Sequence, residues 1–347
     1  MKKTIAVIFG GCSTEYPVSL QSVYAVLTHM NTEKYQVIPV GITRNGDWFR
    51  YMGAFEEILS DQWHVKHETC RKAFLSPERS VHGIVEEKDG EIRQIYVDAV
   101  FPVLHGKNGE DGTIQGLAEL AGIPLIGCGT FASALCMDKY RAHQLAAQAG
   151  VAVPKAVVLE KRLEKTELYE KTKDLEYPLF VKPVRAGSSF GITKADRRTQ
   201  LLSAVDAAFQ HDREVIIEEN VEGFEVGCAV MGKEKLILGR VDEIELSEGF
   251  FDYTEKYTLK SSKIHMPARI DEETEKRIQV CAETIYRALD CSGFARVDMF
   301  LTPNGQIVFN EVNTIPGFTA HSRFPNMMKG IGMSFEEILE TLMAQEV

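Results

Sequence analysis

Two acids and an amide near the end of this chain have the types and spacing to hold a divalent cation. They lie in RVDMFLTPNGQIVFNEVN, residues 296–313, where apolar and polar residues alternate on both sides of Pro303-Asn304-Gly305. That pattern predicts a β-hairpin. Symmetrical pairing about a loop of roughly two or four residues sets Asp298 opposite Glu311 and Arg296 opposite Asn313. Pro303 cannot donate a ladder hydrogen bond and so favours the longer loop. Facing side chains stand ~4.5–5.5 Å apart at Cβ, where like charges destabilise the pair. Two facing carboxylates beside an amide oxygen therefore suit a hard cation such as Mg²⁺, which binds through one or two carboxylates plus substrate phosphates. The competing reading is a solvated hairpin whose acids never meet.

Three lysines stand where a phosphate could be held. Lys182 ends the apolar run PLFVKP, Lys139 lies at the helix start CMDKYR, and Lys256 sits in the polar segment FFDYTEKY. A single lysine is usually a solvated surface charge, so their neighbours decide. After Lys182 comes PVRAGSSFG, with Gly187, Ser188, Ser189 and Gly191. Backbone N–H groups of such a loop can close over a phosphate without obstruction by side chains. It is not a P-loop, which needs GxxxxGK[ST] before a helix, and a flexible hairpin tip has the same composition. EVIIEENVEGFEVG sets Glu218, Glu219 and Glu225 around an apolar strand end. Free backbone groups there can meet an adenine edge, and a carboxylate can hold a ribose. From spacing alone an acidic loop is the plainer reading.

Glu15 lies between Gly10-Gly11 and the first helix, where the helix dipole favours a carboxylate by ~0.3–1 kcal/mol. It could equally hold a substrate ammonium. The loop from His105 to Gly112, HGKNGEDG, follows a buried strand, the position at which α/β domains bind ligands. Its plainer reading is a glycine-rich turn.

The elements that carry these residues alternate between strand and helix. Residues 4–10, YQVIPVGIT and VDAVFPVL read as buried strands, with SLQSVYAVLTHM and TIQGLAELAG as helices. Pro17 suits a first helical turn. This predicts a parallel α/β domain over residues 1–127, with 46–95 as a polar, irregular elaboration containing a hairpin near Gly90. A helix from Ser133 to Gly150 opens a second α/β unit, with strands at PLFVKPV and EVIIEEN and a helix over 198–210. The last third begins near Val221 and holds strands, a polar loop, a long helix over 271–289 and the hairpin.

Composition bounds the class. A chain of 347 residues with 44% apolar and 26% charged residues is a multidomain globular protein. Its net charge of −11 argues against a general nucleic-acid surface. Seven cysteines without CxxC spacing read as reduced thiols, not a disulfide frame or zinc site. The apolar run after Met1-Lys2-Lys3 ends in Gly-Gly, too soon for a signal peptide, and no span has transmembrane length. A cytoplasmic enzyme is expected, without nucleic-acid or membrane partners.

Taken in order, IFGGCSTEYPVSLQS, HGKNGEDGTIQGLAELAGIPLIG, CMDK, VKPVRAGSSFG, FFDYTEKY and RVDMF…FNEVNTIPGFT resemble the D-alanine–D-alanine ligase family of ATP-grasp enzymes. Each motif alone is weak, but the combination is specific and spans nearly the whole chain. The resemblance implies an α/β fold, α+β in its ATP-grasp part. The N-terminal Rossmann-like parallel sheet would occupy residues 1–127. A central ATP-grasp part (128–220) and a C-terminal part (221–347), with a lid at 248–260, would clamp nucleotide. It implies ATP and two Mg²⁺ ions, with Mn²⁺ as a substitute. ATP phosphorylates a D-alanine carboxylate, and the amine of a second D-amino acid attacks the acyl phosphate. Carried over residue by residue, Lys139, Lys182 and Lys256 meet ATP phosphates, while Glu218, Glu219, Val221 and Glu225 line the adenine and ribose site. Asp298, Glu311 and Asn313 hold the metals. Arg296 and the Gly317 amide stabilise the oxyanion, and Glu15, Ser188 and Tyr257 orient the first substrate with His105 nearby. A homodimer is implied too.

Departures from the housekeeping pattern concern the second substrate. Tyr257 is retained where D-alanine–D-lactate ligases are expected to carry histidine. A tyrosine titrates near ~10 and offers no cation to repel an incoming ammonium. Phe251 replaces a tyrosine, Tyr16-Pro17 replaces a charged pair, and Ser322-Arg323 follows PGFTAH where a small polar and an apolar residue are usual. FFDYTEKY with HSRFP is similar to the vancomycin-resistance D-alanine–D-serine ligases of the VanG type. Arg323 would then serve the serine hydroxyl, with Asp242 as its carboxylate partner. The plainer reading of Arg323 is a surface arginine packed on Phe324. Two alternatives remain: a housekeeping D-alanine–D-alanine ligase of cell-wall synthesis, and a non-catalytic nucleotide-binding ATP-grasp protein. The second would expect losses among Lys182, Arg296, Asp298, Glu311 or Asn313, and all are present.

Overall fold

The computed structural model of this chain describes residues 2–66, 68–187, 191–246 and 262–346. Ser188, Phe251, Lys256, Tyr257 and the predicted lid at 248–260 lie outside them. Among the described residues no helix is long and apolar enough to cross a membrane.

Three sheets order the chain. The first begins with β1 (Lys3–Gly10), whose last six residues are all buried. Such a continuous apolar run belongs to a strand covered on both faces. It pairs in parallel with β2 (Tyr35–Ile42) and β7 (Ala99–Val103). Among the described residues only these three strands pair in parallel. Residues 46–95 are not the irregular elaboration expected: β3 (Trp48–Tyr51), β4 (Cys70–Leu75), β5 (Gly83–Lys88) and β6 (Glu91–Tyr96) extend the same sheet antiparallel, in the order β6-β5-β4-β3-β2-β1-β7. Tyr51, Trp63, Ala73, Leu75 and Ile84 are buried there, with charged pairs such as Arg71-Lys72 and Glu86-Glu87 interrupting the apolar residues along the strands. Helix α1 (Tyr16–His29) takes Pro17 in its first turn, and α3 (Thr113–Ala121) follows the glycine-rich loop; the short α2 (Phe55–Leu59) lies between.

The expected helix from Ser133 to Gly150 is two helices, α4 (Thr130–Met137) and α5 (Lys139–Gln148). Asp138 breaks it with φ −87° and ψ 94°, and its carboxylate accepts from the Arg141 N–H at 3.0 Å as an N-cap. The break starts α5 at Lys139. The second sheet is wholly antiparallel, ordered β10-β9-β11-β8 with β8 (Ala156–Leu159), β9 (Leu179–Pro183), β10 (Thr193–Ala195) and β11 (Val215–Glu219). Helices α6 (Lys165–Lys171) and α7 (Leu201–Ala208) accompany it.

The third sheet runs β14-β13-β12-β15-β16, from β12 (Phe224–Gly232), β13 (Leu236–Leu246), β14 (Ser262–His265), β15 (Phe294–Leu301) and β16 (Ile307–Asn313). Helix α8 (Glu272–Ala288) packs on it, capped by Asp271, with three acids in its first turn and Arg287 in its last, as the helix dipole favours. The β15–β16 turn has three residues, Pro303-Asn304-Gly305: Thr302 N–H donates to the Gln306 carbonyl at 3.0 Å and Gly305 N–H to the Thr302 carbonyl at 2.9 Å. Gly305 takes φ +79°, the left-handed position that closes a three-residue hairpin. This turn alone would set Asp298 opposite Asn310. A bulge at Asn310 restores the expected facing pairs, Asp298 with Glu311 and Arg296 with Asn313.

Two C-terminal helices, α9 (Arg323–Lys329) and α10 (Phe335–Met343), join the third sheet to the first. Phe318 stacks among Phe101, Phe294, Phe324 and Phe335 with ring centroids 5.3–6.2 Å apart. Aromatic contacts of this kind contribute ~0.5–1.5 kcal/mol each beyond burial. They fix the segment that carries Gly317 and Arg323.

Candidate active site

Two cavities of about 290 and 400 Å³ meet at Lys139 and Glu311, which line both. Glu15, His105, Glu110, Arg296, Asn313, Gly317, Ser322 and Arg323 line the first. Lys182, Glu218, Glu219, Val221 and Glu225 line the second, with Phe180 and Phe300. Every described residue expected at the site lines one of the two, except Asp242 and Asp298, which are buried directly behind.

The second cavity is cationic above and acidic at its back. Lys182 is held by Glu218 at 2.6 Å. Glu218 is buried on β11, and burial would raise its carboxyl, yet the lysine charges, Lys182 first and then Lys139, hold it below the usual glutamate range. Its other oxygen faces His143 Nδ1 at 3.4 Å. His143 Nε2 lies 2.7 Å from the Asn310 carbonyl, so Nε2 carries the proton and Nδ1 is an acceptor. Glu218 Oε1 and His143 Nδ1 are thus two buried acceptors without a donor among the described residues. A ligand amine would satisfy Glu218, as an aminopurine edge does. The Asn310 carbonyl is available to His143 because the bulge takes it out of the ladder. Lys139 Nζ donates to the Ala186 carbonyl at 2.7 Å and stands 4.0 Å from Glu311. Arg269 clamps Glu243 at the cavity wall.

The first cavity collects residues from strands of the third sheet and from the loops and helices that flank the other two. Glu15, 7% exposed, precedes α1 and lies against Gly106 and Gly187: a Cβ at Gly106 would come 2.3 Å from Glu15 Oε2. Gly106 also takes φ +69°, the left-handed region that favours glycine. Glu110 Oε2 accepts from the Gly106 N–H at 2.7 Å. Burial, and then the Glu15 charge, push its carboxyl up to about 8. Ser322 closes the turn before α9, accepting from the Thr319 N–H at 3.0 Å.

The third group is an ion network on the central strands. Arg296 Nη2 donates to Asp298 Oδ2 at 2.7 Å, and Asn313 Nδ2 donates to the same oxygen at 2.8 Å. Arg323 is not a surface residue. It is buried, its Nε and Nη2 each donate to Asp242 at 2.7 Å, and its Nη1 donates to Glu225 at 2.8 Å. The expected Arg323–Asp242 pair is therefore made. Gly227 on β12 pairs with Asp242 on one side and Asp298 on the other, and the guanidinium lies over it.

Asp298, Glu311 and Asn313 offer oxygen donors from one hairpin end, and Glu311 opens into both cavities, which suits a hard cation beside a phosphate. Among the described residues there is no group of three or more His, Cys, Asp or Glu poised for a metal, so any ion would draw on Asn313 and ligand oxygens as well. Sequence reasoning missed Glu110, Ser22, His143 and Gly227. Glu110, Ser22 and Gly227 sit inside motifs already singled out, and His143 lies in a helix that carries no sign of its role.

Comparison with known proteins agrees with this geometry. Residues 4–128 match the family model for the D-ala D-ala ligase N-terminus, and residues 145–344 that for the D-ala D-ala ligase C-terminus. The vancomycin B-type resistance protein VanB of Enterococcus faecalis is 45% identical over 98% of this chain and 97% of its own length. The D-alanine–D-alanine ligase of Caldicellulosiruptor bescii is 41% identical over 99% of this chain and 94% of its own. The crystal structure of the VanG D-Ala:D-Ser ligase from Enterococcus faecalis covers all of both chains at 62% identity, with a TM-score of 0.94. A site built from Glu15, Lys139, Lys182, Arg296 and the β15–β16 acids, on a fold matched from end to end, makes this chain a member of the D-alanine–D-alanine ligase family of ATP-dependent ligases.

Proposed function

We propose that the chain joins D-alanine to D-serine at the expense of ATP, making a dipeptide precursor of peptidoglycan that confers vancomycin resistance. The observation that carries the choice of D-serine is the buried fork of Arg323 on Asp242 beside Gly317 and Ser322. The bonds to Asp242 and Glu225 leave Arg323 Nη2 with a second N–H for a substrate hydroxyl. A site built to hydrogen-bond a hydroxyl discriminates strongly against analogues without one. The 62% identity to a chain titled a D-Ala:D-Ser ligase supports the same reading.

In this reading ATP occupies the second cavity. The adenine amine donates to Glu218 Oε1, with Glu219, Val221 and Glu225 along the nucleoside, and Lys139, Lys182 and Lys256 meet the phosphates. Asp298, Glu311 and Asn313 would hold Mg²⁺, which neutralises phosphate charge when bound. Glu15, with Ser188 and Tyr257, takes the ammonium of D-alanine, whose carboxylate oxygen attacks the γ-phosphorus and releases ADP. The D-serine amine then adds to the acyl phosphate carbon. Arg296 and the Gly317 N–H stabilise the oxyanion, and phosphate leaves as the amide forms. Donors of this kind typically contribute ~2.7–4 kcal/mol each. Arg296 rests on Asp298 in this structure, so it must share or exchange that partner when substrate binds.

The test is direct. The purified protein is incubated with ATP, Mg²⁺ and equal D-alanine and D-serine near neutral pH, and the dipeptides are resolved by chromatography. D-alanyl-D-serine should dominate. Predominance of D-alanyl-D-alanine would return the chain to the housekeeping activity.

A further inference from the structure

The segment that carries Gly317 is held by side chains of the helix and loop that flank the first sheet, not by its own. Ile315, Phe318 and their neighbours follow β16, yet the polar groups on either flank of Gly317 are met by Ser22 on α1 and by His105 and Glu110 in the loop after β7. Phe318 N–H donates to Ser22 Oγ at 3.2 Å. Ser22 Oγ lies 3.0 Å from His105 Nε2, and His105 Nδ1 lies 2.9 Å from the Ile315 carbonyl. Glu110 Oε1 takes the Ile315 N–H at 3.3 Å.

Hydrogen bookkeeping gives this chain of bonds one direction. The Ile315 carbonyl can only accept, so His105 Nδ1 carries a proton and Nε2, in the neutral ring, is an acceptor. Ser22 must then donate to Nε2, and its oxygen is left to accept the Phe318 N–H. The relay starts and ends on the same four residues, with Gly317 between. Both ring nitrogens and the hydroxyl are used, and the imidazole is 4% exposed, so His105 has no donor to offer a ligand. Burial lowers the affinity of the ring for a second proton, which agrees with the neutral form. Ser22 lies about two turns beyond Glu15, the N-cap of α1, so this helix serves both the cavity and the relay.

We propose that Ser22 and His105 are positioning residues: through this one-way relay the first sheet sets the Ile315–Phe318 backbone, and with it the Gly317 amide at the reacting carbonyl. The inference rests on the ligase reading, in which that amide is an oxyanion donor. It gives His105, expected only near the first substrate, a role in backbone alignment. Misplacing a reacting group by about 1 Å can reduce a rate ~100-fold.

The test measures ADP formation, with ATP, Mg²⁺, D-alanine and D-serine, for the full-length protein and its Ser22→Ala, His105→Ala and His105→Asn variants. Asparagine offers an amide N–H near the place of the imidazole Nδ1–H. For Ser22→Ala and His105→Ala, kcat should fall about tenfold to a hundredfold, with KM for ATP within about twofold of the parent. His105→Asn should recover most of that loss. A kcat for Ser22→Ala within about twofold of the parent, or equal losses in His105→Asn and His105→Ala, would overturn the relay. So would loss of cooperative melting in both Ser22→Ala and His105→Asn, which would make the role purely structural. If the parent protein makes no D-alanine-dependent ADP, the ligase reading fails first, and the relay loses its purpose with it.

Discussion

Arg323 and Asp242 stand 81 positions apart in the chain and meet in a buried two-pronged pair, both bonds 2.7 Å long. The same guanidinium donates to Glu225 at 2.8 Å and lies 3.3 Å from Asp298. One side chain thus touches the first cavity, a residue of the second, and the hairpin acid expected to hold metal.

Replacing Arg323 tests both its roles. Arg323→Leu strips buried Asp242 of its fork and weakens the charge balance at Glu225 and Asp298. Breaking one side of a buried pair typically costs about 3–5 kcal/mol, and urea denaturation should show a loss of that order. Adding Asp242→Leu should recover part of it, since the uncompensated acid is removed. In the folded variant, product should shift toward D-alanyl-D-alanine. An unchanged product ratio would take Arg323 out of second-substrate selection.

Glu110 gives a pH signature. Its carboxyl is raised to about 8, first by burial and then by Glu15, against the Gly106 and Ile315 N–H groups and Arg296. The folded protein therefore keeps a proton that the unfolded chain releases above about 4.5, and stability falls as pH rises between those values. His105, lowered by burial, acts with the opposite sign, and only below its ordinary value of about 6.5. Glu110→Gln should flatten the decline between about pH 6.5 and pH 8, read as denaturation midpoints across that range. Parallel curves for parent and variant would show that Glu110 titrates normally.

The metal reading makes its own demand. Glu311→Gln removes one of the two facing acids while keeping the volume and the hairpin. The Mg²⁺ concentration for half-maximal ADP formation should rise at least about tenfold, a loss of roughly 1.4 kcal/mol in ion binding. KM for D-alanine, measured at saturating Mg²⁺, should change little. If the Mg²⁺ requirement is unmoved, Glu311 is not a ligand.

Much of this site is legible in the sequence because its parts are local. Lys182 at a strand end, Glu15 before a helix and the acids of the hairpin can be read from short motifs, and the family motifs supply their order. The hairpin shows how far local reading goes. Asp298 and Glu311 face each other as symmetrical pairing predicts, yet the turn has an odd number of residues and a bulge at Asn310 compensates. Two deviations that cancel leave no trace in an alternation pattern. Long-range partners are harder. The fork of Arg323 on Asp242 was reachable only by asking what carboxylate a buried arginine would need. Ser22, by contrast, is one serine among several in α1, and only the packing of Phe318 against the first sheet gives it a role. Of residues 46–95 the hairpin at Gly90 is legible and forms as β5–β6, while the rest of that antiparallel extension is not. Charged residues interrupt the apolar ones in β4–β6, as Arg71-Lys72 and Glu86-Glu87-Lys88 do, and Glu86 is itself buried against Arg50 and Arg71, so no clean alternation marks these strands.

Gly227 supplies the sharpest test of the Arg323 site, because it can move the arginine without altering any charge. It lies on the central strand β12, between Asp242 on β13 and Asp298 on β15, and its N–H donates to Asp242 Oδ1 at 3.1 Å. A Cβ added there would stand 2.4 Å from Arg323 Nη2, 2.8 Å from Asp242 Oδ1 and 2.9 Å from Met327 Cε. The methionine end can swing away, but the guanidinium is held by two carboxylates and cannot retreat without breaking a bond. Gly227→Ala should therefore destabilise the protein by about 1–3 kcal/mol, as overpacking does, and shift product toward D-alanyl-D-alanine as Arg323→Leu does. Gly239→Ala is the matched control. A Cβ there would meet Met327 and Ala229 at 3.0–3.1 Å, against the same helix but away from the guanidinium. It should lower stability and leave the product ratio alone. Equal product shifts in the two variants would mean that packing of α9, and not the placement of Arg323, governs which amine is accepted.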